Sequence, residues 1–337
     1  MNIWTIRLLS LAFGPLLASC TGAITASPLD ASYEAGPDAQ PPADGGTSDA
    51  DATPDAVADA SPPGPAVLLF GGDGPSFFSD TWEWNGAQWA QKSVTGPSGR
   101  EAHAMAGLNG KVVLFGGRTA AQASDETWEW DGTQWTQRKV SGPQARSGHQ
   151  MVTMGNKIVL FGGTGSSEFC DTWEWDGENW ADKSATLTKG LHCIGHAMGA
   201  LNGKVYLFGG VGARSDTWQY DGSSWTLVTS TGPGERAWAS MTTLNGKLVL
   251  FGGQQNTNHI LNDTWEWDGG TWKEVATTGP APRWHYGFAT FGGKAVLFGG
   301  DGSKGWLGDT WEWDGSQWAE DKLVGPSARY VYTLAAR

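Results

Sequence analysis

Three histidines, His103, His149 and His196, recur at near-equal intervals, and the chain of 337 residues holds three cysteines, Cys20, Cys170 and Cys193. Imidazole and thiolate are common ligands of zinc and related ions. The histidine register is filled by Ala239, Tyr286 and Tyr332 elsewhere, so it fits packing between repeated units better than an ion site. "FGGTGSS" and "FGGDG" have the glycine content of phosphate loops, but no helix follows to supply N-terminal amides. "DGSKGWLGD" is oxygen-rich but encloses a lysine, which a calcium loop would not. No HExxH, CxxC or nucleophile elbow occurs. The expectation is of no metal, no cofactor and no catalytic set.

These residues sit in a repeated frame. "FGG" begins at Phe70, Phe115, Phe161, Phe208, Phe251 and Phe298, at intervals of 43 to 47 residues. Each unit parses into four short strands: "REAHAMAGL", an Asn-Gly turn, "KVVLFGG", a variable loop, "DETWEW", an Asp-Gly turn and "TQWTQRK". No segment sustains a 3.6-residue period, so helices are not needed. If Asn85-Gly86 is a two-residue loop, Trp84 faces Ala87 and Trp82 faces Trp89, with Glu83 on the other face. One four-stranded sheet cannot bury a face of tryptophans, but six packed in a ring can. The glycine pair after each second strand fits a place of close backbone approach. The predicted fold is all-β, a six-bladed β-propeller of four-stranded blades over residues 66–337. The first unit starts at its second strand, "AVLLFGG", and the chain ends on a lone first strand, "ARYVYTLAA". That C-terminal strand should close the first blade.

The glycine pair, an aromatic near the end of strand three, a Trp in strand four and an Arg opening strand one resemble the kelch repeat. The resemblance covers about 270 residues. It departs in the short step from Trp84 to Trp89, which implies a tight third hairpin. The opening arginines are Arg100, Arg146, Arg236, Arg283 and Arg329. In kelch propellers the next two positions approach the central pocket. The resemblance thus implies a mouth with small residues from three blades and an aromatic wall of Trp238, Trp284, His285 and Tyr330 from the others. Known kelch-type enzymes include galactose oxidase, whose Tyr/Cys/His set does not carry over. They also include a periplasmic sialic acid mutarotase, which shares only six blades and an envelope location.

In an antiparallel blade, the loop from strand two to three and the link to the next blade share one rim, and the hairpin turns share the other. The turns are near-identical, whereas the loops vary, and binding groups collect on variable loops. Phe77, Phe78 and Trp306 extend the predicted wall, with Glu101, Arg118, Arg214, His259 and Lys304 as polar contacts. Aromatic faces with a few polar groups suit a sugar ring or an extended peptide. The expected function is binding of a glycan, peptide or protein without catalysis. One rival is a mutarotase- or epimerase-like carbohydrate enzyme using Glu101 and Arg and His groups in the central pocket. Another is a structural surface protein.

The ends of the chain differ in character. Residues 1–19 are apolar but too short to span a bilayer as a mature helix. Leu17-Ala18-Ser19-Cys20 resembles the lipobox of bacterial lipoproteins, which implies cleavage before Cys20 and acylation of its sulfur and new amino group. Thr21 in place of Asp implies the outer membrane of the cell envelope. Residues 20–65 form an Ala/Pro/Asp-rich linker with eight acidic residues and no Lys or Arg, a composition that stays disordered. Such a coil spans about 35–40 Å and reads as a stalk. It carries most of the net charge of −13, leaving 27 acidic and 21 basic residues beyond it. That balance, without a basic cluster, argues against nucleic acid as partner, and a monomeric propeller is expected.

Cys193 stands where the other units have the opening Arg, and Cys170 just precedes Asp171 of the unit before. Either the two form a disulfide that replaces an Arg–Asp contact, or they are free thiols.

Overall fold

A computed structural model describes residues 64–184, 190–212, 215–256, 259–330 and 333–337. The predicted signal peptide, Cys20 and nearly all of the acidic linker lie outside the described residues. In the first hairpin of the second blade, Leu108 pairs with Lys111 across Asn109 and Gly110, whose φ values are 51° and 75°. Two positive φ values give the turn whose twist matches that of its strands, so Asn-Gly is the right pair there. Lys111–Phe115 then pairs with Thr127–Trp130, which pairs with Trp135–Arg138. The pattern repeats in six four-stranded blades, and no helix occurs among the described residues. In the first blade, Ala335–Ala336 pairs with Val67–Phe70, so the C-terminal strand completes it as expected. The Arg337 amide adds a bond of 2.9 Å to the Ala66 carbonyl.

The third hairpin differs from its expected register. Trp84 faces Trp89 and Trp82 faces Gln91, across a four-residue loop. The cause is the side chain that opens the turn. The Asn85 side-chain oxygen Oδ1 accepts the amides of Ala87 and Gln88, both at 2.9 Å, and Asp131 Oδ1 accepts those of Thr133 and Gln134. An Asx residue used as an acceptor closes a longer loop than an Asn-Gly pair used for its positive φ. Two of the six variable loops are also not loops. Lys247–Asn256 with His259–Trp267, and Lys294–Gly302 with Gly305–Trp313, continue as paired hairpins beyond a register shift at the glycine pair.

The tryptophan faces lock the ring. Trp84 and Trp89 pack on Val296 and Phe298 of the sixth blade, and Trp130 and Trp135 on Leu68 and Phe70 of the first. Each strand-four indole N–H donates to a buried threonine that opens strand three of the preceding blade. The pairs are Trp89–Thr310, Trp135–Thr81, Trp180–Thr127, Trp225–Thr172, Trp272–Thr217 and Trp318–Thr264, at 2.8–3.0 Å. Five of these indoles are also covered by a Gly-Pro link. A Cβ on Gly96, Gly142, Gly232, Gly279 or Gly325 would come within 2.5–2.8 Å of the ring, so only glycine fits there. Burying about 200 Å² of indole contributes roughly 5 kcal/mol at 25 cal/mol per Å².

The opening arginines are structural. Arg146 is buried, its Nη1 2.9 Å from the Gly162 carbonyl and its Nη1 and Nη2 2.5 and 2.7 Å from the Asp171 carboxylate. Burial pushes the Asp171 carboxyl up, but the guanidinium outweighs it and holds the group below its ordinary range. Arg236–Asp263, Arg283–Asp309 and Arg329–Asp80 repeat the clamp, and Arg100 uses Glu126. The second glycine of the pair binds the next blade: the Gly117 amide donates to the Arg146 carbonyl and that of Gly72 to Arg100, both at 2.9 Å.

The fourth blade has Cys193 in the Arg position and no Gly-Pro in the link before it. Cys193 is joined to Cys170 of the third blade, with Cα atoms 5.0 Å apart. The expected exchange needs correction in one respect. Asp171 keeps its arginine, and the contact given up is the one that Asp216 would make within the fourth blade. The disulfide instead ties two blades together.

Thr127→Val leaves the Trp180 indole N–H buried and unpaired, at a cost of about 1–3 kcal/mol. We expect a lower urea midpoint with an unchanged slope; an unchanged midpoint would show that the indole bond does not hold the joint. Replacing Cys170 and Cys193 by serine should cost about 3 kcal/mol, and equal melting of oxidised and reduced protein would contradict this.

Candidate functional site

On the variable rim, the second residue after Arg100, Arg146, Cys193, Arg236 and Arg283 faces the mouth. Ala102, Gly148, Gly195, Trp238 and His285 there have φ values of 52°, 70°, 72°, 62° and 52°. Backbone bonds link neighbours in this collar: Gly148 N–H to Ala102 at 2.8 Å, and in a second run Trp238 N–H to Gly195 at 2.7 Å and His285 N–H to Trp238 at 3.3 Å. The geometry suits glycine, and a bulky residue held in it costs about 1–3 kcal/mol. The chain nevertheless puts an indole and an imidazole there.

The residue just after an opening Arg bridges to the one just after a glycine pair in five blades. Tyr330 meets Asp73, Glu101 meets Arg118, Ser147 meets Thr164, Ala237 meets Gln254 and Trp284 meets Asp301. Trp284 lies 4.1 Å from His285, His285 lies 4.5 Å from Trp238 and 5.6 Å from Tyr330, measured between ring centroids. The Tyr330 hydroxyl is bonded to Asp73 Oδ2 at 2.9 Å and to Glu101 Oε2. Arg118 Nε donates to Glu101 Oε1 at 2.6 Å, and its guanidinium lies 5.3 Å from the Phe77 ring. An unbroken arc thus runs from Trp238 through Trp284, His285, Tyr330, Glu101 and Arg118 to Phe77. Across the mouth, Gly148 and Gly195 carry no side chain.

The other predicted residues divide. Phe78 belongs to the scaffold, since it packs 3.7 Å from the Arg329 guanidinium and its carbonyl accepts the Arg100 amide. Trp306 is 43 % exposed and stands across the strands from Asp301, on the sheet face that Trp284 shares. His259 and Lys304 are exposed at the tips of the two projecting hairpins. Arg214 lies outside the described residues. Asp73 and Asp301 were not among the predicted residues. Their shared position after the glycine pair, which Arg118 also occupies, was the signal that could have found them.

Beneath the mouth, a cavity of about 330 Å³ is lined by first strands of all six blades, through residues such as Thr153, Thr243, Thr290, Gln150, Met198 and Phe288. Among the described residues, none of those that line it titrates. Glu101 is engaged by Arg118 and Tyr330 and His285 is packed among aromatic rings, so the acid-base set that an enzyme would need is not assembled from these two. His103, His149 and His196 are buried edge-on against Phe70, Phe115 and Phe161 of the preceding blade. In the sixth blade Tyr286 takes that place against Phe251. Among the described residues the one group close enough to share an ion is Glu168, Cys170 and Cys193, and its two sulfurs are bonded to each other.

A family model described as the KLHDC2/KLHL20/DRC7 Kelch-repeats domain matches residues 54–210 and 195–331. No curated protein matches the chain.

Burial pushes the pKa of His103 and His196 down to about 3, and burial likewise sets His149 and His285 well below their ordinary value. The fold therefore keeps all four neutral, while the unfolded chain protonates them near pH 6.5. Their contribution is full above that pH and is lost as pH falls, because the unfolded state then binds more protons. Between pH 6 and 4.5 the carboxyls of Asp171, Asp263 and Asp309, held below their ordinary range by their arginines, remain ionised, so stability should fall by about 1.4 kcal/mol per pH unit per histidine. His149→Tyr copies the sixth blade and should remove one proton from the slope; an unchanged slope in urea titrations at pH 6, 5.5 and 5 would refute this.

Proposed function

The chain belongs to the kelch-repeat family, and from that premise we propose that its propeller is a protein-binding scaffold. The partner docks on the rim that carries the strand-two-to-three loops. The observation that carries this reading is the contrast between the two rims. One is built from near-identical turns, closed by positive-φ residues in the first hairpins and by an Asn or Asp side chain in the third. The other gathers Trp238, Trp284, His285 and Tyr330 into one wall and raises two hairpins beside it. Half-exposed aromatic residues next to hydrogen-bonding groups are typical of the centre of a protein contact.

The same proposal places the propeller at the bacterial envelope. Leu17-Ala18-Ser19-Cys20 supports lipidation at Cys20, and the acidic linker to residue 65 supports a stalk that holds the rim away from the membrane. A glycan is the competing ligand, because the same aromatic faces would stack on a sugar ring.

A photo-crosslinking residue at Trp306 should give a discrete protein adduct in the native envelope. The same residue at Gln317, exposed on the opposite rim, should give none. Equal adducts at both positions, or none at Trp306, would defeat the assignment of the rim.

A further inference from the structure

We propose that the aromatic wall and the carboxylates beside it form a seat for an alkylammonium group, the side chain of a lysine on the protein partner. The inference rests on the protein-binding reading and names the chemistry of its central contact.

The wall is held at a cost. Trp238 and His285 occupy a backbone geometry that Gly148 and Gly195 fill in the third and fourth blades. Scaffold geometry alone would favour glycine in all of them. Strained side chains that persist at a mouth point to use of the side chain. Gly195 also makes room for the wall, since a Cβ there would lie 3.1 Å from the Trp238 indole.

The sign of the ligand's charge follows from the groups at the end of the wall. The Tyr330 hydroxyl reaches both Asp73 Oδ2 and Glu101 Oε2, but it has one proton for two carboxylates. Arg118 is bonded to the other oxygen of Glu101, so among the described residues of this cluster two acids face one guanidinium. The Asp73–Glu101 pair is thus one negative charge in excess, and with Glu101 only 5 % exposed that charge draws a cation more strongly than it would in open water. His285 adds no opposing charge, because burial keeps it neutral. Aromatic faces favour the same sign, through the attraction of a cation to the ring quadrupole.

The shape favours ammonium over guanidinium. A guanidinium fork wants both oxygens of one carboxylate, and on Glu101 Arg118 already occupies Oε1. What remains is one oxygen from each of two residues, converging on the Tyr330 hydroxyl. An ammonium with three divergent N–H groups on a slender stem can reach both.

The test uses the full chain and four Gly/Ser decapeptides with lysine, arginine, norleucine or glutamate at the centre, followed through indole N–H resonances. The lysine peptide should shift the Trp238 and Trp284 signals and bind about tenfold better than the norleucine peptide. Asp73→Asn should weaken it, and Trp284→Ala or Trp238→Gly should abolish it. Trp238→Gly and His285→Gly are expected to melt within a few degrees of the parent, because the third and fourth blades already hold glycine there. Equal binding of the lysine and norleucine peptides would overturn the ammonium seat while leaving the protein-binding reading intact. A preference for arginine or glutamate would overturn it too, as would no shift with any peptide. Failure of the protein-binding reading itself would show separately, as the absence of adducts at Trp306.

Discussion

The indole-to-threonine bond between consecutive blades is the interaction on which the rest of the architecture depends. A four-stranded sheet with an aromatic face is insoluble as a single unit and must find a second sheet. Here each strand-four Trp lays its ring on the preceding blade and gives its only donor to that blade's Thr. The ring is oriented by the bond and held from above by the Gly-Pro link. Neither partner can be exchanged freely. A side chain on the glycine collides with the indole, and loss of the threonine oxygen strands a buried N–H. The bond recurs at all six joints and the cover at five, and together they hold neighbouring blades in register around the ring.

That rigidity is what allows the mouth to be irregular. The arginine clamps and the glycine-pair amides fix each blade's opening residues whatever the loops do. The collar geometry is imposed by the scaffold, and it accepts Ala102 and Trp238 as well as Gly148. Strain at Trp238 and His285 is small beside the burial energy of the blades that hold them. The site thus draws on stability generated elsewhere. Its chemistry is concentrated in the fifth, sixth, first and second blades, and the third and fourth supply open space.

The ring itself was legible in the sequence, because the repeat carries it: the FGG steps, the aromatic strands and the split first blade all point to closure. The details that failed did so where one residue type has two uses. Asn opens a two-residue turn at Asn109 through its backbone, and a four-residue turn at Asn85 through its side chain; the letters do not distinguish them. Likewise "QQNTNHILN" and "DGSKGWLG" vary like loops, yet extend strands, because a register shift at the glycine pair lets the ladder resume. The wall was found by alignment with the opening arginines, but its left-handed backbone was not, since Trp and His give no hint of positive φ. Asp73 was missed because its role depends on a tyrosine from the other end of the chain.

The joint between the third and fourth blades shows how the constraint can be met by other means. It keeps its indole bond, from Trp225 to Thr172, but lacks both the Gly-Pro cover and the arginine. Without them the opening of the fourth blade would be anchored mainly by the backbone contact between Gly163 and Cys193, at 2.7 Å. The disulfide sits on that contact and fixes it covalently. A cross-link here restrains the unfolded chain over about 22 residues, an effect of roughly 3 kcal/mol, comparable with the cost of leaving a buried donor unpaired. The ring has one other unusual joint, the first blade, where the two ends of the fold meet without a covalent bond. That joint keeps both its clamp, Arg329 to Asp80, and its glycine cover on Trp89. The cysteines therefore appear where the repeat's own fasteners are absent, and not where the chain ends meet. Their placement follows the loss of local contacts, so they belong to the scaffold and not to the aromatic wall on the far side of the mouth.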